Sequence, residues 1–126
     1  AACDSCNGGV CTIDCSGSQA CKSTTIDCPA NFECVVQCDG NQACDATIVN
    51  CPDTYACNVS CAGSQGCKTA AINCSASGTC AVQCGTDNQV CDDATVACGG
   101  NACSATCASV STPTVSCNAS CACTEC

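Results

Sequence analysis

The stretch Cys11–Cys34, CTIDCSGSQACKSTTIDCPANFEC, decides the fold, because its cysteine spacing returns down the chain at a constant step. Cysteine recurs at Cys11, Cys34, Cys57, Cys80, Cys103 and Cys126, each 23 residues after the last. A second ladder with the same period runs through Cys15, Cys38, Cys61, Cys84 and Cys107. A repeat of this length marks a solenoid, in which one unit cannot bury its apolar face alone and stacks on its neighbours to do so.

Inside each repeat the side chains alternate: Cys11-x-Ile13-x-Cys15, Cys34-x-Val36-x-Cys38, Cys57-x-Val59-x-Cys61 and Cys80-x-Val82-x-Cys84. A period of two is that of a strand, with cysteine and β-branched residues on one face. A second short strand is expected to end at Ile26-x-Cys28, Val49-x-Cys51, Ile72-x-Cys74 and Val96-x-Cys98. Between the strands lie small, polar turns: SGSQA, DGNQA, AGSQG and the longer GTDNQV on one side, PANFE, PDTYA, SASGT and GGNA on the other. Long apolar residues never recur at three-four spacing, so no helix is expected. The prediction is an all-β chain, a β-solenoid of about five 23-residue coils with a core of disulfides, isoleucine and valine.

The chain divides accordingly. Residues 1–10 form an N-terminal cap or partial coil, with Cys6 read as the tail of a preceding repeat because CNGGVC (6–11) echoes CGGNAC (98–103). Full coils follow at 11–33, 34–56, 57–79 and 80–102. The last of these gains a residue between Cys84 and Cys91 and loses one between Cys98 and Cys103, so the period survives. Residues 103–126 make a degenerate coil and a C-terminal cap.

Composition sets the chemistry. The chain of 126 residues holds 24 cysteines and only Phe32 and Tyr55 as aromatics, so disulfides must supply stability that a larger apolar core would otherwise give. So much cysteine in an even number reads as a disulfide framework, which places the protein in an oxidising compartment, secreted or extracellular. Ala1-Ala2 fits a mature end left by signal cleavage. No apolar run reaches the roughly 18 residues of a membrane span. Twelve bridges are possible, and pairing across each turn predicts Cys15–Cys21, Cys38–Cys44, Cys61–Cys67 and Cys84–Cys91 on one side. On the other it predicts Cys28–Cys34, Cys51–Cys57, Cys74–Cys80 and Cys98–Cys103.

The net charge of −9, from 11 acids against Lys22 and Lys68, argues against nucleic acid as a partner. With no histidine, no GxSxG and no phosphate loop, nothing points to an enzyme or a cofactor. Thiolate metal storage would need CxC and CxxC crowding, which occurs only at Cys3-Cys6 and Cys121-Cys123-Cys126, so no metal site is assigned. Asp87, Asp92 and Asp93 are read as a solvated loop.

Stacking turns each repeat place into a column with a step of about 4.8 Å. Gln19, Gln42, Gln65 and the shifted Gln89 should form an amide ladder, and Phe32 should sit over Tyr55. Lys22, Asp45, Lys68 and Asp92 alternate in charge, so each lysine is expected to face an acid on the next coil. Three glycosylation sequons occur, at Asn58, Asn73 and Asn118, the first two on outward strand positions.

Residues 6–107 resemble the disulfide-stapled β-solenoids of which the beetle antifreeze proteins are the familiar example. That resemblance implies a flat ice-binding face of stacked Thr-x-Thr. Here the outward pairs read Thr12/Asp14, Val35/Gln37, Asn58/Ser60 and Ala81/Gln83 on the first strand, and Thr25/Asp27, Ile48/Asn50, Ala71/Asn73 and Thr95/Ala97 on the second, so the Thr-x-Thr face is missing. The expected function is a structural extracellular protein, a rod that stacks head to tail into a filament or cell-surface fibre and carries glycans. Ice binding is the alternative, and an extracellular binding module a third class.

Overall fold

The structure is a computed structural model that describes residues 3–108, 113–116 and 123–124. It is all-β, with no helix among the described residues, and winds as a disulfide-rich β-solenoid of about four turns. The expected count of about five included residues 103–126, only part of which is described. Each turn contributes one long and one short strand. The long strands are β2 (Val10–Ser16), β4 (Glu33–Asp39), β6 (Cys57–Ala62), β8 (Cys80–Cys84) and β10 (Cys103–Cys107). The short ones are β3 (Thr25–Asp27), β5 (Ile48–Asn50), β7 (Ala71–Asn73), β9 (Thr95–Ala97) and β11 (Thr114–Ser116). With β1 (Ser5–Asn7) and β12 (Cys123–Thr124) they build a seven-stranded sheet, β1-β2-β4-β6-β8-β10-β12, and a five-stranded sheet, β11-β9-β7-β5-β3.

From β2 to β10 the long strands pair in parallel and in register with the repeat, Cys11 beside Cys34, Val36 beside Val59, and Cys61 beside Cys84. Beyond them the period breaks, since Cys103 lies beside Cys123 rather than on the 23-residue step to Cys126, and Thr95 beside Thr114. Register is enforced because a slip of one residue would turn every cysteine and valine out to solvent. Ile13, Val36, Val59, Val82 and Ala105 form one inner column, and Ile26, Val49, Ile72 and Val96 the other, all buried. Each isoleucine or valine among them contributes about 1.5–3 kcal/mol by leaving water. Their volume alone would be a thin core; buried sulfur fills the space between the columns.

The turns between the long and short strands have a backbone the sequence does not announce. Gln19, Cys21 and Ser23 are left-handed, at φ 59°, 56° and 55°, and so are their equivalents Gln42, Cys44 and Ala46, Gln65, Cys67 and Thr69, and Gln89, Cys91 and Asp93. A left-handed non-glycine residue costs about 1–2 kcal/mol. Bonds to the next coil offset this: Gln19 N–H donates to Asn41 O (2.8 Å), Ser23 N–H to Asp45 O (2.9 Å), and Cys44 N–H back to Ala20 O (2.8 Å). Ahead of them Gly17, Gly40 and Gly63 stack with φ of 115°, 143° and 85°. A Cβ on Gly40 would come 2.5 Å from the carbonyl oxygen of Gly17, and one on Gly63 2.4 Å from that of Gly40, so these two places are closed to a side chain.

The opening segment departs from expectation. β1 runs antiparallel to β2, with Cys6 opposite Cys11 and Asn7 opposite Val10, through a two-residue turn at Gly8 (φ 58°) and Gly9 (φ 78°). Left-handed geometry at both central residues is what a tight hairpin needs to follow strand twist. Residues 3–10 are therefore a lid folded back over the end of the long sheet, not the tail of an earlier parallel coil. Asp4 N–H donates to Thr12 O (2.9 Å), and the Asp4 carboxylate accepts from Asp14 N–H (2.7 Å), satisfying backbone groups at that edge.

Candidate functional site

The features available for function are the polar columns along the solenoid, its sheet faces and its ends. In the columns the amides are ordered head to tail. Gln19 Nε2 donates to Gln42 Oε1, Gln42 Nε2 to Gln65 Oε1 and Gln65 Nε2 to Gln89 Oε1, each at 2.8 Å. A second ladder, not foreseen from the sequence, runs the other way on the five-stranded sheet: Asn73 Nδ2 donates to Asn50 Oδ1 (2.8 Å) and Asn50 Nδ2 to Asp27 Oδ1 (2.7 Å). Its signal was present, since Asp27, Asn50 and Asn73 share a repeat place.

The charge column forms only in part. Lys22 Nζ lies 3.4 Å from Asp45 Oδ2 and donates to Gln42 Oε1 at 3.1 Å, the one ion pair among the described residues. Lys68 makes none, while the other oxygen of Asp45 accepts from Thr69 Oγ1 (3.2 Å). Asp87 is not merely solvated. The extra residue of the fourth coil carries the backbone away from Gly63, and the Asp87 carboxylate accepts from Gly63 N–H at 2.8 Å. In earlier coils a carbonyl fills that place, with Gly17 N–H donating to Asp39 O and Gly40 N–H to Ala62 O. Phe32 packs partly buried against the core, whereas Tyr55 stays exposed.

Nine disulfides have both partners placed among the described residues, and Cys107 and Cys123 are disulfide-bonded as well. Eight join Cys15 to Cys21, Cys28 to Cys34, Cys38 to Cys44, Cys51 to Cys57, Cys61 to Cys67, Cys74 to Cys80, Cys84 to Cys91, and Cys98 to Cys103, at separations of 5 to 7 residues. The ninth joins Cys3 to Cys11 in the lid. Each braces a single bend of chain, and none of the nine links residues a full repeat apart. Cohesion along the axis therefore draws on backbone hydrogen bonds, the amide ladders and the stacked inner columns. Complete pairing into twelve bridges does not hold, since Cys6 is a free, exposed thiol. Sulfurs of neighbouring bridges come close, with Cys38, Cys44 and Cys67 within 4.8 Å of one another, and likewise Cys74, Cys80 and Cys103. All six are in disulfides, whereas a metal would need them as thiolates.

Two shallow, open grooves of about 300 and 340 Å³ meet on the outer face of the seven-stranded sheet, sharing Ser60 and Ala62 as floor and edged by Gln37 and Gln83. Another, of about 350 Å³, lies between Asn31 and Pro52 on the opposite turns. Of the sequon asparagines, Asn73 is exposed and Asn58 half-buried, its Nδ2 donating to Glu33 Oε1 at 3.3 Å. Asn118 lies outside the described residues. No helix among the described residues is long and apolar enough to cross a membrane. Comparison with protein families, curated proteins and solved structures finds no match.

Proposed function

We propose that the chain is a structural extracellular element, a stiff rod that joins end to end into a fibre and carries glycans at Asn73 and Asn58. The observation behind this reading is the division of labour in the bonding: disulfides brace every bend, while hydrogen-bonded columns run along the axis. Such a build suits shape and durability under oxidising conditions. The absence of histidine, and the way the ladder amides satisfy one another, fit a chain that is not an enzyme.

The lid over β2 shapes how units would join. It blocks simple continuation of the winding on the seven-stranded sheet, whereas β3 ends the five-stranded sheet with one edge uncovered by another strand. A joint at this end therefore forms on β3, by strand addition from a second copy. Sedimentation over a range of concentrations and electron microscopy of the native protein test the reading. Rods lengthening in units of one chain are expected; a monomer at every concentration with no fibres would overturn it.

A further inference from the structure

The N-terminal lid holds two cysteines, Cys3 and Cys6, that compete for one partner, Cys11 of β2. In the winding, the cysteine that opens each long strand is bonded to the cysteine five or six residues before it: Cys34 to Cys28, Cys57 to Cys51, Cys80 to Cys74 and Cys103 to Cys98. Cys11 holds the same place in β2, and Cys6 stands five residues before it, the same interval as Cys98 to Cys103. Yet Cys11 is bonded to Cys3, eight residues back, and Cys6 is left as an exposed thiol.

Backbone register places Cys6 across from Cys11. Cys6 and Cys11 are directly opposed in the antiparallel pair, so their side chains leave the same face of the sheet. Opposed Cα atoms in such a pair lie about 4.5–5.5 Å apart, within the span a disulfide accepts. No backbone rearrangement is needed to join them.

We propose that Cys11 is an exchange point, and that the lid interconverts between a Cys3–Cys11 and a Cys6–Cys11 isomer. The Cys6 thiol releases its proton to solvent and the thiolate attacks Cys11 Sγ. A Cys6–Cys11 bond forms as the Cys3–Cys11 bond breaks, and the electron pair leaves on Cys3, whose thiolate takes a proton from solvent. One thiol and one disulfide are present before and after, so neither oxidant nor reductant is consumed. The step shortens the bridged loop from eight residues to five and moves the free thiol from the middle of β1 to Cys3. It also slackens the segment holding Asp4, whose carboxylate accepts from Asp14 N–H and whose own N–H donates to Thr12 O. Thiol position and closure of the sheet edge are thereby coupled: the Cys3 isomer holds the edge shut, and the Cys6 isomer loosens it.

The test uses the native protein, held overnight at pH 8 without reductant and then quenched with an alkylating reagent. Reduction, a second label and cleavage after Lys22 follow, so that mass spectrometry of the peptide 1–22 reads which cysteines were free. Label divided between Cys3 and Cys6 is expected, together with loss of the Cys3 label in Cys6→Ser and an unchanged circular dichroism spectrum. Label on Cys6 alone would overturn the exchange, and so would Cys3 label persisting in Cys6→Ser, because the thiol would then arise by another route. Amide hydrogen exchange gives the second readout. Cys3→Ser, which leaves only the Cys6 isomer, should speed exchange at Asp14 N–H at least several-fold, and an unchanged rate there would break the coupling to the edge.

Discussion

The two families of bends are closed alike and built differently. Both are spanned by disulfides of nearly equal reach: Cys38–Cys44 closes one with Cα atoms 5.9 Å apart, and Cys51–Cys57 the other at 5.8 Å. The bend after the long strand is uniform over the first three coils, with stacked glycines, alternating left-handed residues and a glutamine ladder, and the left-handed residues and ladder continue into the lengthened bend of the fourth. The bend after the short strand varies in sequence, from PANFE to GGNA, and carries the exposed Tyr55. The same covalent clamp thus permits either uniformity or variation. What demands uniformity is hydrogen bonding between coils, because each rung must offer the donor or acceptor its neighbour needs, as Asp27 does by accepting from Asn50 at the end of the asparagine ladder.

That contrast can be broken most severely at glycine. Gly40→Ala puts a Cβ 2.5 Å from a backbone oxygen at a φ of 143°, whereas Gly100→Ala, in the variable bend, meets only the Ala76 oxygen at 3.3 Å. Thermal unfolding should show Gly40→Ala losing roughly 3 kcal/mol or more, and Gly100→Ala under about 1 kcal/mol. Crowding alone does not separate the bends, since a Cβ on Gly99 would come 1.8 Å from the Ser75 oxygen and one on Gly78 2.2 Å from the Tyr55 oxygen. Equal losses at Gly40 and Gly100 would mean that neither the left-handed φ of Gly40 nor its contact with Gly17 sets its cost.

Removing one clamp from each side comes next. Short loops of this kind are worth about 2–3 kcal/mol each. Chemical denaturation of Cys38→Ser/Cys44→Ser should show the larger loss, since Cys44 must also keep its left-handed backbone without the bridge, and Cys51→Ser/Cys57→Ser the smaller. A reversed order would sink the claim that the uniform bend is the more strained.

The smallest effect separates ladder from ornament. Gln42 sits in mid-ladder, donating to Gln65, accepting from Gln19 and accepting from Lys22. Gln42→Ala should cost about 1–2 kcal/mol in a denaturant titration, and Tyr55→Ala, on the variable side, within about 0.5 kcal/mol. If Tyr55→Ala proves as costly, the variable bend contributes more packing than its exposure indicates.

Much of this architecture was legible because burial and periodicity are written in residue type. The alternation Cys34-x-Val36-x-Cys38 reads directly as a strand with its sulfur and valine inside, and Cys28 lies within one bend of Cys34, where the structure joins them. Less legible was anything that depends on backbone sign or on choice among neighbours. Cys21 and Ser23 carry no glycine signal for φ above zero, yet the stacked coil imposes it. Lys68 had acids expected on both sides, yet it pairs with neither, and Asp45 takes Lys22 and Thr69 as partners. Asp87 looked like loop charge until the inserted residue left Gly63 N–H in need of an acceptor. The lid was masked because CNGGVC resembles a bend of the winding, while its two adjacent glycines suit a hairpin equally well.

The sequence by itself determined the 23-residue period, the inward sulfur and β-branched columns, and the oxidising setting, since each follows from composition and spacing. Tertiary structure alone decided the left-handed bends, the direction of each amide ladder, the partner of Asp45 and the reversal of residues 3–10 against β2. Those depend on which hydrogen-bonding group arrives within reach once coils are stacked, and a linear pattern of residue types does not specify that distance.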